Sequence, residues 1–529
     1  MSVGSIEASN KRPVAFEQTA PDEKYRKAAY VFIGLLTVYV VVRGVRAASP
    51  LPFWMDEFYT LAIAGQPTIH DLWTLCNRGI DTTPPFFFLI ERLTLSLPIQ
   101  KEVALRLPSI LAFPCILICV FTYVRRRSGE LIGCLCALLF LSTTLFHTYL
   151  IDARPYVEPV ACLSFALLCY QRLPSPRWTV LFAVSLVLAE SFHYYSVFAM
   201  LPFWFAEGVF LLRTRRFRWH VWLALFSGFL PLIPALPLLW SVRSALGPHI
   251  FSRPVLAVVR GYYGEFFLLQ DYVLGMALAV VAAAATAWFR LWGQQNDSPH
   301  LANEQRDVPE GVLVLSLIAL PYIAFVLARV THGVLIPRYV MATIIGVAVG
   351  LGCGLSIAGR KATVIFAIFV FCVVGLREYS FWRIGHPVTA EVYVTSKEQL
   401  VEIQELIQSG GHPDLPVVFD QDLVYCQIAY YGSPDWTKRL VFLTDEGREF
   451  RSGGTDTGVR LNRSLSNFYA LRLQDYSQFT AKYSEFLLYA EPQGWILNAL
   501  RDEGNTVQVL KVDGDRWLYL VKMKNASPE

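Results

Sequence analysis

The sequence predicts a polytopic α-helical membrane protein with about eleven transmembrane helices and a C-terminal soluble α/β domain. Of its 529 residues, 54% are hydrophobic and only 17% are charged, and the mean hydropathy is +0.41. A soluble globule of this size carries more charge and less apolar surface. Long apolar stretches recur from residue 29 to residue 380, and from about Val388 the composition changes to that of an ordinary soluble domain.

Each predicted span is an apolar stretch of about 20 residues, the length that crosses a bilayer. The stretches lie at 29–48, 104–124, 130–150, 156–172, 178–195, 196–212, 219–240, 268–290, 311–329, 336–358 and 361–380. A further stretch at 84–97 is short and carries Glu91 and Arg92 in its middle. It therefore suits a helix lying at the membrane interface better than one that crosses.

The distribution of basic residues orients these spans. With the N-terminus in the cytoplasm and 84–97 not crossing, basic turns such as the arginines at 125–127 fall on the cytoplasmic side, as the positive-inside rule requires. The opposite face collects the polar and aromatic loops and everything after about residue 381. We therefore expect function on the extracytoplasmic face.

The chain is predicted to divide into three parts. These are a disordered cytoplasmic tail at 1–28, a transmembrane domain at 29–385 with a first external loop at 49–103, and an extracytoplasmic soluble domain at 386–529. In the soluble domain, periodicity predicts helices at 397–407, 423–431 and 494–500 and strands at 415–419, 440–443, 486–489, 506–512 and 516–522. It carries no Gly-rich phosphate loop and no nucleophile elbow, so we expect it to assist and not to catalyse.

Two adjacent carboxylates, Asp56 and Glu57, lie in the first external loop among Trp, Met, Phe and Tyr side chains. Charge at a bilayer surface is costly to hold without a partner or a purpose. In a partly desolvated pocket Asp56 is suited to act as a general base, while Glu57 points elsewhere and fixes the geometry. The alternative is that Asp56 only caps a helix at the membrane surface. In the same loop the segment 80–88, IDTTPPFFF, predicts a rigid re-entry toward the bilayer.

Further polar and aromatic side chains are predicted on the same face. They are Asp152, Arg154 and Tyr156 after the third span, His193 at the end of a span, Glu265 in the 241–267 loop, and Arg338 and Tyr339 in the IPRY turn. Arg154 either presents its planar donors to a phosphate or holds Asp152 in a structural ion pair, and similar logic applies to Arg338 and to Arg253 and Arg260.

His193 and Glu265 each have a structural alternative. A single histidine at this face is more often a hydrogen-bonded interface residue than a ligand, and no second histidine lies near His193 in the sequence to close a metal site. A divalent metal is therefore unsupported, although acids and one histidine are present. Glu265 either contributes polar contacts to a substrate cavity or has a structural role.

Five motifs together resemble the GT-C glycosyltransferases, in the branch that contains protein O-mannosyltransferases and lipid A aminoarabinose transferases. They are the acidic pair at 56–57, the Pro-Pro-aromatic segment at 84–88, RLPS at 106–109, ARPY at 153–156 and PRY at 337–339. The resemblance covers about residues 29–380. Order, spacing and predicted side of the membrane all agree with the family, although each motif alone is weak.

The resemblance implies a polyprenyl-phosphate-linked sugar as donor and an acceptor that enters from the extracytoplasmic face. Asp56 would then deprotonate the acceptor with Glu57 in support, and the lipid phosphate would leave with inversion. Asp152 matches a second acid of the acceptor cavity, and Arg154 and Arg338 are candidates for stabilising the phosphate. The expected location is the bacterial inner membrane.

The chain departs from the family at two places. Many relatives carry a basic residue or histidine before the Pro-Pro pair, where this chain has Thr82 and Thr83. The soluble tail also differs from the trefoil domains of eukaryotic protein O-mannosyltransferases. The first departure leaves phosphate contacts from that loop unassigned, and the second leaves the acceptor, whether glycan, lipid or protein, unassigned. No motif indicates which sugar is transferred.

Two other classes of function compete with transfer. A transporter or lipid flippase would also have many spans and intramembrane polar residues, but no inverted repeat is evident and the polar residues gather on one face. A non-catalytic assembly or sensor protein would use the tail as its binding module. Nucleic acid is not an expected partner, because no basic stripe with interleaved aromatics is present.

Overall fold

The computed structural model describes residues 23–236, 255–268, 301–331, 333–384, 396–453, 457–514 and 516–524. Within these ranges the chain forms a helical bundle followed by a domain with one sheet. Four sequence predictions lie wholly or largely outside the described residues: the tail at 1–28, Arg253, the span at 268–290 and the domain boundary after 385.

The bundle and its first loop contain sixteen described α-helices. They are α1 Glu23–Ala48, α2 Met55–Ala64, α3 Ile69–Asn77, α4 Pro85–Leu95, α5 Lys101–Ser128, α6 Glu130–Leu139, α7 Thr144–His147, α8 Val157–Tyr170, α9 Pro176–Phe192, α10 Ser196–Thr214, α11 Trp219–Ser227, α12 Leu256–Val259, α13 Gly261–Phe267, α14 Leu301–Ile318, α15 Leu320–Thr331 and α16 Thr343–Ile384. Short 3₁₀ turns lie at Phe140–Ser142, Tyr149–Ile151 and Pro337–Val340.

Five of the described helices are long and apolar enough to cross a membrane, and two bent helix pairs raise that number to seven. The bent pairs occupy the spans predicted at 130–150 and 311–329, and their bends are 59° and 66°. The second bend falls where Pro321 follows Leu320 at the start of α15. Proline has no backbone N–H to donate, so the preceding helix cannot run straight on.

Four other predicted spans differ in detail from the structure. The stretch at 156–172 gives only the 14-residue α8, and the stretch at 178–195 gives the 17-residue α9. The two predicted spans at 336–358 and 361–380 form one assigned element, α16, which is broken at Gly359 with φ 83°. A positive φ is readily adopted only by glycine, so this break falls where the sequence predicts the turn between the two spans.

The stretch at 84–97 forms α4, a helix of 11 residues. Such a helix is about 17 Å long, which is too short to cross a bilayer. Its Pro85 occupies the first turn, where the missing N–H has no cost. Arg92 donates hydrogen bonds back to the carbonyls of Gln66 and Pro67. The helix therefore belongs to the folded first loop.

The C-terminal part is an α/β domain, as predicted. Its strands are β1 Val417–Phe419, β2 Leu440–Thr444, β3 Leu473–Asp475, β4 Glu485–Ala490, β5 Thr506–Asp513 and β6 Arg516–Lys522. Its helices are α17 Lys397–Ser409, α18 Asp422–Tyr431, α19 Pro434–Thr437, α20 Glu446–Gly453, α21 Thr457–Leu465, α22 Tyr476–Lys482 and α23 Trp495–Asp502.

These strands form one six-stranded sheet in the order β3-β2-β1-β4-β6-β5. The first four strands of that order are parallel, while β6 is antiparallel to both β4 and β5. On one face of the sheet, Val417 and Phe419 share a buried core with Phe53 and Phe58 of the first loop. The domain is thereby packed directly on the loop that carries Asp56.

A buried ion pair fastens the first loop to the bundle. The Glu57 carboxylate, fully buried, accepts hydrogen bonds from Nε and Nη2 of Arg106 at 2.8 and 2.6 Å. It also accepts from the backbone N–H groups of Trp54 at 3.1 Å and Ala153 at 2.8 Å. The Arg106 guanidinium also donates to three backbone carbonyls, those of Ala48, Leu51 and Pro52. One carboxylate thus joins α2, α5 and the turn at 152–156.

We expect Glu57→Gln to destabilise the whole protein. It retains the shape of the side chain but leaves the buried Arg106 charge uncompensated, a change that costs about 3–5 kcal/mol of unfolding free energy. Thermal unfolding in detergent measures the effect. The control is Asp435→Asn, which breaks the pair of Asp435 with Lys438, whose side chains are 94% and 75% exposed. That change should leave the Tm unaltered, and equal shifts in the two variants would contradict the structural role of Glu57.

Candidate active site

Asp56 and Glu57 occupy the first turn of α2 but point in different directions. Successive residues are about 100° apart around a helix, so burial of Glu57 against α5 leaves Asp56 facing another way. The Asp56 side chain is 27% exposed, and its Oδ2 lies 3.9 Å from Nε of Arg154. The structure therefore places a partly accessible carboxylate beside a cation.

Arg154 lies between two carboxylates. Its Nη1 donates to Oδ2 of Asp81 at 2.5 Å, and its Nη2 lies 3.4 Å from Oδ1 of the same residue. Burial alone would raise the pKa of Asp81, but Arg154 outweighs that effect and lowers it. Burial opposes the charge of Arg154, whereas Asp81 and Asp56 together raise the pKa of this guanidinium. The three groups form one charged cluster.

Asp81 is a site residue that the sequence reasoning missed. It lies in the segment 80–88, which the sequence assigned to a rigid turn. Its Oδ1 also accepts the N–H of Thr83 at 2.8 Å, which fixes the entry to the Pro-Pro pair. The signal in the sequence is an acid three residues before the Pro-Pro pair, in a loop that already holds the acidic pair at 56–57.

Asp152 is buried on the other side of the cluster. Its Oδ1 accepts a hydrogen bond from the indole Nε1 of Trp54 at 2.9 Å. Burial, followed by the neighbouring charge of Glu57, raises the pKa of this carboxyl well above its ordinary value, while Trp54 and Arg154 offset part of the effect. The surroundings of Asp152 therefore favour its protonated form, whereas those of the ion-paired Asp81 favour the ionised form.

A second group of predicted residues forms an aromatic wall. The ring of His193 lies 5.6 Å from that of Tyr156 and 5.4 Å from that of Tyr339, between ring centroids. Tyr339 also stacks on Tyr195 at 3.9 Å, and the Arg338 guanidinium lies 5.5 Å from the Tyr156 ring centre. The same five side chains line one cavity.

His193 is neutral in this wall. Burial, then the charges of Arg154 and Arg338, lower its pKa to about 3. Its Nδ1 accepts the backbone N–H of Tyr195 at 3.2 Å. A neutral imidazole that accepts at Nδ1 carries its proton at Nε2, so His193 presents a single N–H donor.

Arg338 has a buried Nε atom with no hydrogen-bond partner among the residues that the structure describes. A buried donor without a partner is costly. Burial lowers the pKa of Arg338, but Tyr156 and Asp56 outweigh that effect and raise it, so this arginine stays charged close to the acidic cluster. The arrangement provides a cation with spare donor capacity at the wall of the cavity.

Glu265 lies in α13, next to this region. Its backbone carbonyl accepts a hydrogen bond from the Thr144 hydroxyl, and Tyr262 of the same helix donates to the Leu335 carbonyl at 2.9 Å. These contacts place α13 between the bend after α6 and the turn that carries Arg338. A role for the Glu265 side chain stays a prediction.

Within the described ranges, no group of three or more His, Cys, Asp or Glu side chains has a geometry that could hold a metal ion. The described site consists of the carboxylates of Asp56 and Asp81 around Arg154, the buried carboxyl of Asp152, and an aromatic cavity with Arg338. Such a set can accept a proton, bind an anion and stack against a flat or cyclic group.

No protein-family model matches the chain, and no curated protein matches it. Among solved structures, the chain is similar to ArnT from Cupriavidus metallidurans bound to undecaprenyl phosphate, with 12% identity, a TM-score of 0.52, and 95% of this chain and 100% of that chain covered. The apo state of that ArnT gives 13% identity, a TM-score of 0.43, and the same coverage of 95% and 100%.

The oligosaccharyltransferase from Archaeoglobus fulgidus, tethered with an acceptor peptide, gives 10% identity, a TM-score of 0.46, and 89% and 70% of the two chains covered. Of these three similarities, only that to the lipid-bound ArnT has a TM-score above 0.5. At such low identity the similarity concerns the fold. This chain has the overall fold of that ArnT structure, in agreement with the predicted membrane domain followed by a soluble α/β domain.

Proposed function

We propose that this protein is an integral-membrane, inverting glycosyltransferase that moves a sugar from a polyprenyl-phosphate donor to an acceptor on the extracytoplasmic face. The observation that carries the proposal is the placement of Asp56 beside Arg154, close to the cavity that Arg338 lines. A base, an anion site and an aromatic wall are the three parts that such a transfer requires.

Asp56 is the proposed general base. At 3.9 Å its pairing with Arg154 is longer than a hydrogen bond, so the carboxylate can still accept the proton of an acceptor hydroxyl or amine. The nearby acids are less suited, because Glu57 and Asp81 are held by arginines, while Asp152 is buried and accepts the indole N–H of Trp54. Glu57 supports Asp56 by fixing the first turn of α2.

The leaving group needs cations. As the acceptor oxygen or nitrogen bonds to the anomeric carbon, the bond from that carbon to the phosphate oxygen breaks, and its electron pair stays on the phosphate. Attack from the opposite side inverts the anomeric centre. Arg338 can place its free Nε–H on the phosphate, with Arg154 and the Nε2–H of His193 nearby. Such preorganised donors are worth several kcal/mol.

The aromatic wall suits the sugar and the first part of the lipid. Tyr156 and the stacked pair of Tyr195 and Tyr339 offer faces on which a pyranose ring can pack. The similar ArnT structure holds undecaprenyl phosphate, which supports a donor of the same chemical class here. The identity of the sugar is not encoded in any contact described above.

The position of the site along α5 supports an extracytoplasmic location. Arg106, which holds Glu57, lies near the start of this 28-residue helix, and the arginines at 125–127 lie in its last turn. The helix is about 42 Å long, so these groups lie at opposite ends of it. If the basic end faces the cytoplasm, the acidic cluster faces outward. Mass spectrometry of lipid-linked sugars and envelope glycans, in cells with and without the gene, tests the function as a whole.

We expect Asp56→Asn to abolish transfer without affecting folding. The amide has nearly the same shape but cannot accept the proton, so kcat should fall by about 10²–10⁴-fold. The Tm and the membrane content of the variant should match those of the wild-type protein, because Asp56 is partly exposed. Transfer by this variant at the full rate would remove Asp56 from the role of base.

Arg338→Ala should weaken use of the donor. Loss of a charged donor to the phosphate costs about 1.5–3 kcal/mol, which is at least a tenfold loss in kcat/KM for the donor. The matched control is Arg216→Ala, which removes an exposed arginine just after the end of α10. Donor kinetics that are unchanged in Arg338→Ala would mean that other groups hold the phosphate.

The raised pKa of Asp152 predicts a specific pH profile. If the protonated carboxyl is the active form, kcat/KM should fall as the pH rises through that pKa, because the ionised form adds a negative charge beside Asp56 and Glu57. Asp152→Asn imitates the protonated form and cannot ionise. We expect this variant to keep transfer within about tenfold of wild type and to lose the alkaline decline. An identical decline in wild type and variant would assign it to another group.

A further inference from the structure

The C-terminal domain forms hydrogen bonds with both backbone polar groups of one residue of the first loop, Phe53. The Phe53 N–H donates to the Tyr431 hydroxyl at 3.1 Å, and the Phe53 carbonyl accepts from Nε2 of Gln427 at 2.9 Å. Gln427 and Tyr431 are four residues apart on α18 and therefore lie on the same face of that helix. One helix of the soluble domain thus satisfies both polar groups of a residue three positions before Asp56.

The side chain of Phe53 is held from the same direction. It is fully buried and packs edge-on against Tyr430, with ring centroids 6.1 Å apart, and against Phe58 at the same distance. Tyr430 in turn contacts the Phe58 ring at 5.5 Å. Aromatic rings packed at such distances leave little freedom to rotate.

Two further contacts lie along α2 itself. The Tyr469 hydroxyl donates to the Phe58 carbonyl at 2.8 Å, and the Tyr59 hydroxyl donates to the Leu461 carbonyl at 3.0 Å. At the start of α17, Lys397 pairs with Glu102 of α5 at 2.5 Å. The loop is therefore held on one side by Arg106 through Glu57 and on the other side by the soluble domain.

We propose that Tyr431 and Gln427 are positioning residues, through which the C-terminal domain sets the place of the Asp56 carboxylate. This role rests on the proposed function, in which Asp56 accepts the acceptor proton. Asp56 is the second residue of α2. The orientation of the first turn of a helix depends on the backbone that precedes it. The soluble domain fixes Phe53 and Arg106 fixes Glu57, so the first turn of α2 has one orientation.

The geometry explains why the contact bears on rate more than on donor binding. The anion site is formed by Arg338 and the aromatic wall, which lie in the bundle. Loosening Phe53 displaces the base and leaves that wall unchanged. A misplacement of about 1 Å in a reacting group costs up to about 100-fold in rate.

The test uses the full-length protein in nanodiscs and compares Tyr431→Phe, Gln427→Met and the double variant with Tyr430→Phe as matched control. Both substitutions keep most of the side-chain volume. Gln427→Met removes the bond to the Phe53 carbonyl. Tyr431→Phe removes the bond to the Phe53 N–H together with the contact of the Tyr431 hydroxyl with Glu102, so Gln427→Met is the cleaner of the two single variants. The described contacts give Tyr430 a packing role through its ring, which Tyr430→Phe retains. Hydrogen–deuterium exchange over residues 51–60 and transfer from undecaprenyl-phosphate-linked hexoses and pentoses are the two measurements.

We expect faster exchange over 51–60 in the double variant, a fall in kcat of about tenfold or more, and a donor KM within about twofold of wild type. Tyr430→Phe should match wild type in both measurements. Unchanged exchange, or an unchanged kcat with faster exchange, would overturn the proposal. Absence of transfer by the wild-type protein would count against the proposed function, and the exchange measurement would still decide whether the domain holds the loop.

Discussion

The rest of the site depends on the buried pair of Glu57 with Arg106. An unpaired carboxylate or guanidinium at this depth would be strongly unfavourable, so each requires the other. Both also use backbone partners from two separate segments, 48–54 and the turn at 152–156. The helix carrying Asp56, the start of α5 and the turn carrying Asp152 and Arg154 are therefore brought together by one set of bonds.

From this anchor outward, the acids differ in how firmly they are held. Glu57 is fully buried and fully bonded, and the Asp81 side chain is 7% exposed and paired with Arg154. Asp152 is buried without an ion pair of its own among the described contacts, and burial raises its pKa. Asp56 alone among these four combines exposure with a loose cationic neighbour. Four carboxyl groups within about 100 residues of chain thus acquire four different chemical characters from their surroundings.

The sequence was sufficient for the features that local pattern encodes. Apolar length predicted α1, α5 and α10, and alternating patterns predicted β1, β2, β4, β5 and β6, because burial of a strand or span depends on its own residues. Asp56, Arg154 and Arg338 could be nominated from their motifs. The contacts that hold the first loop in place could not be predicted. Glu57 pairs with a residue 49 positions away, and Phe53 bonds to one 378 positions away. Such contacts depend on how whole elements pack.

The position of Arg154 between Asp56 and Asp81 also bears on product release under the proposed reaction. The carboxylates of Asp56 and Asp81 balance the guanidinium groups of Arg154 and Arg338, so these four side chains together carry no net charge. During transfer, Asp56 gains a proton while the phosphate gains a negative charge, and the overall charge does not change. Once that proton escapes to water, the regenerated carboxylate repels the doubly charged lipid phosphate. Deprotonation of Asp56 would then favour release of the lipid phosphate and prepare the enzyme for another turnover.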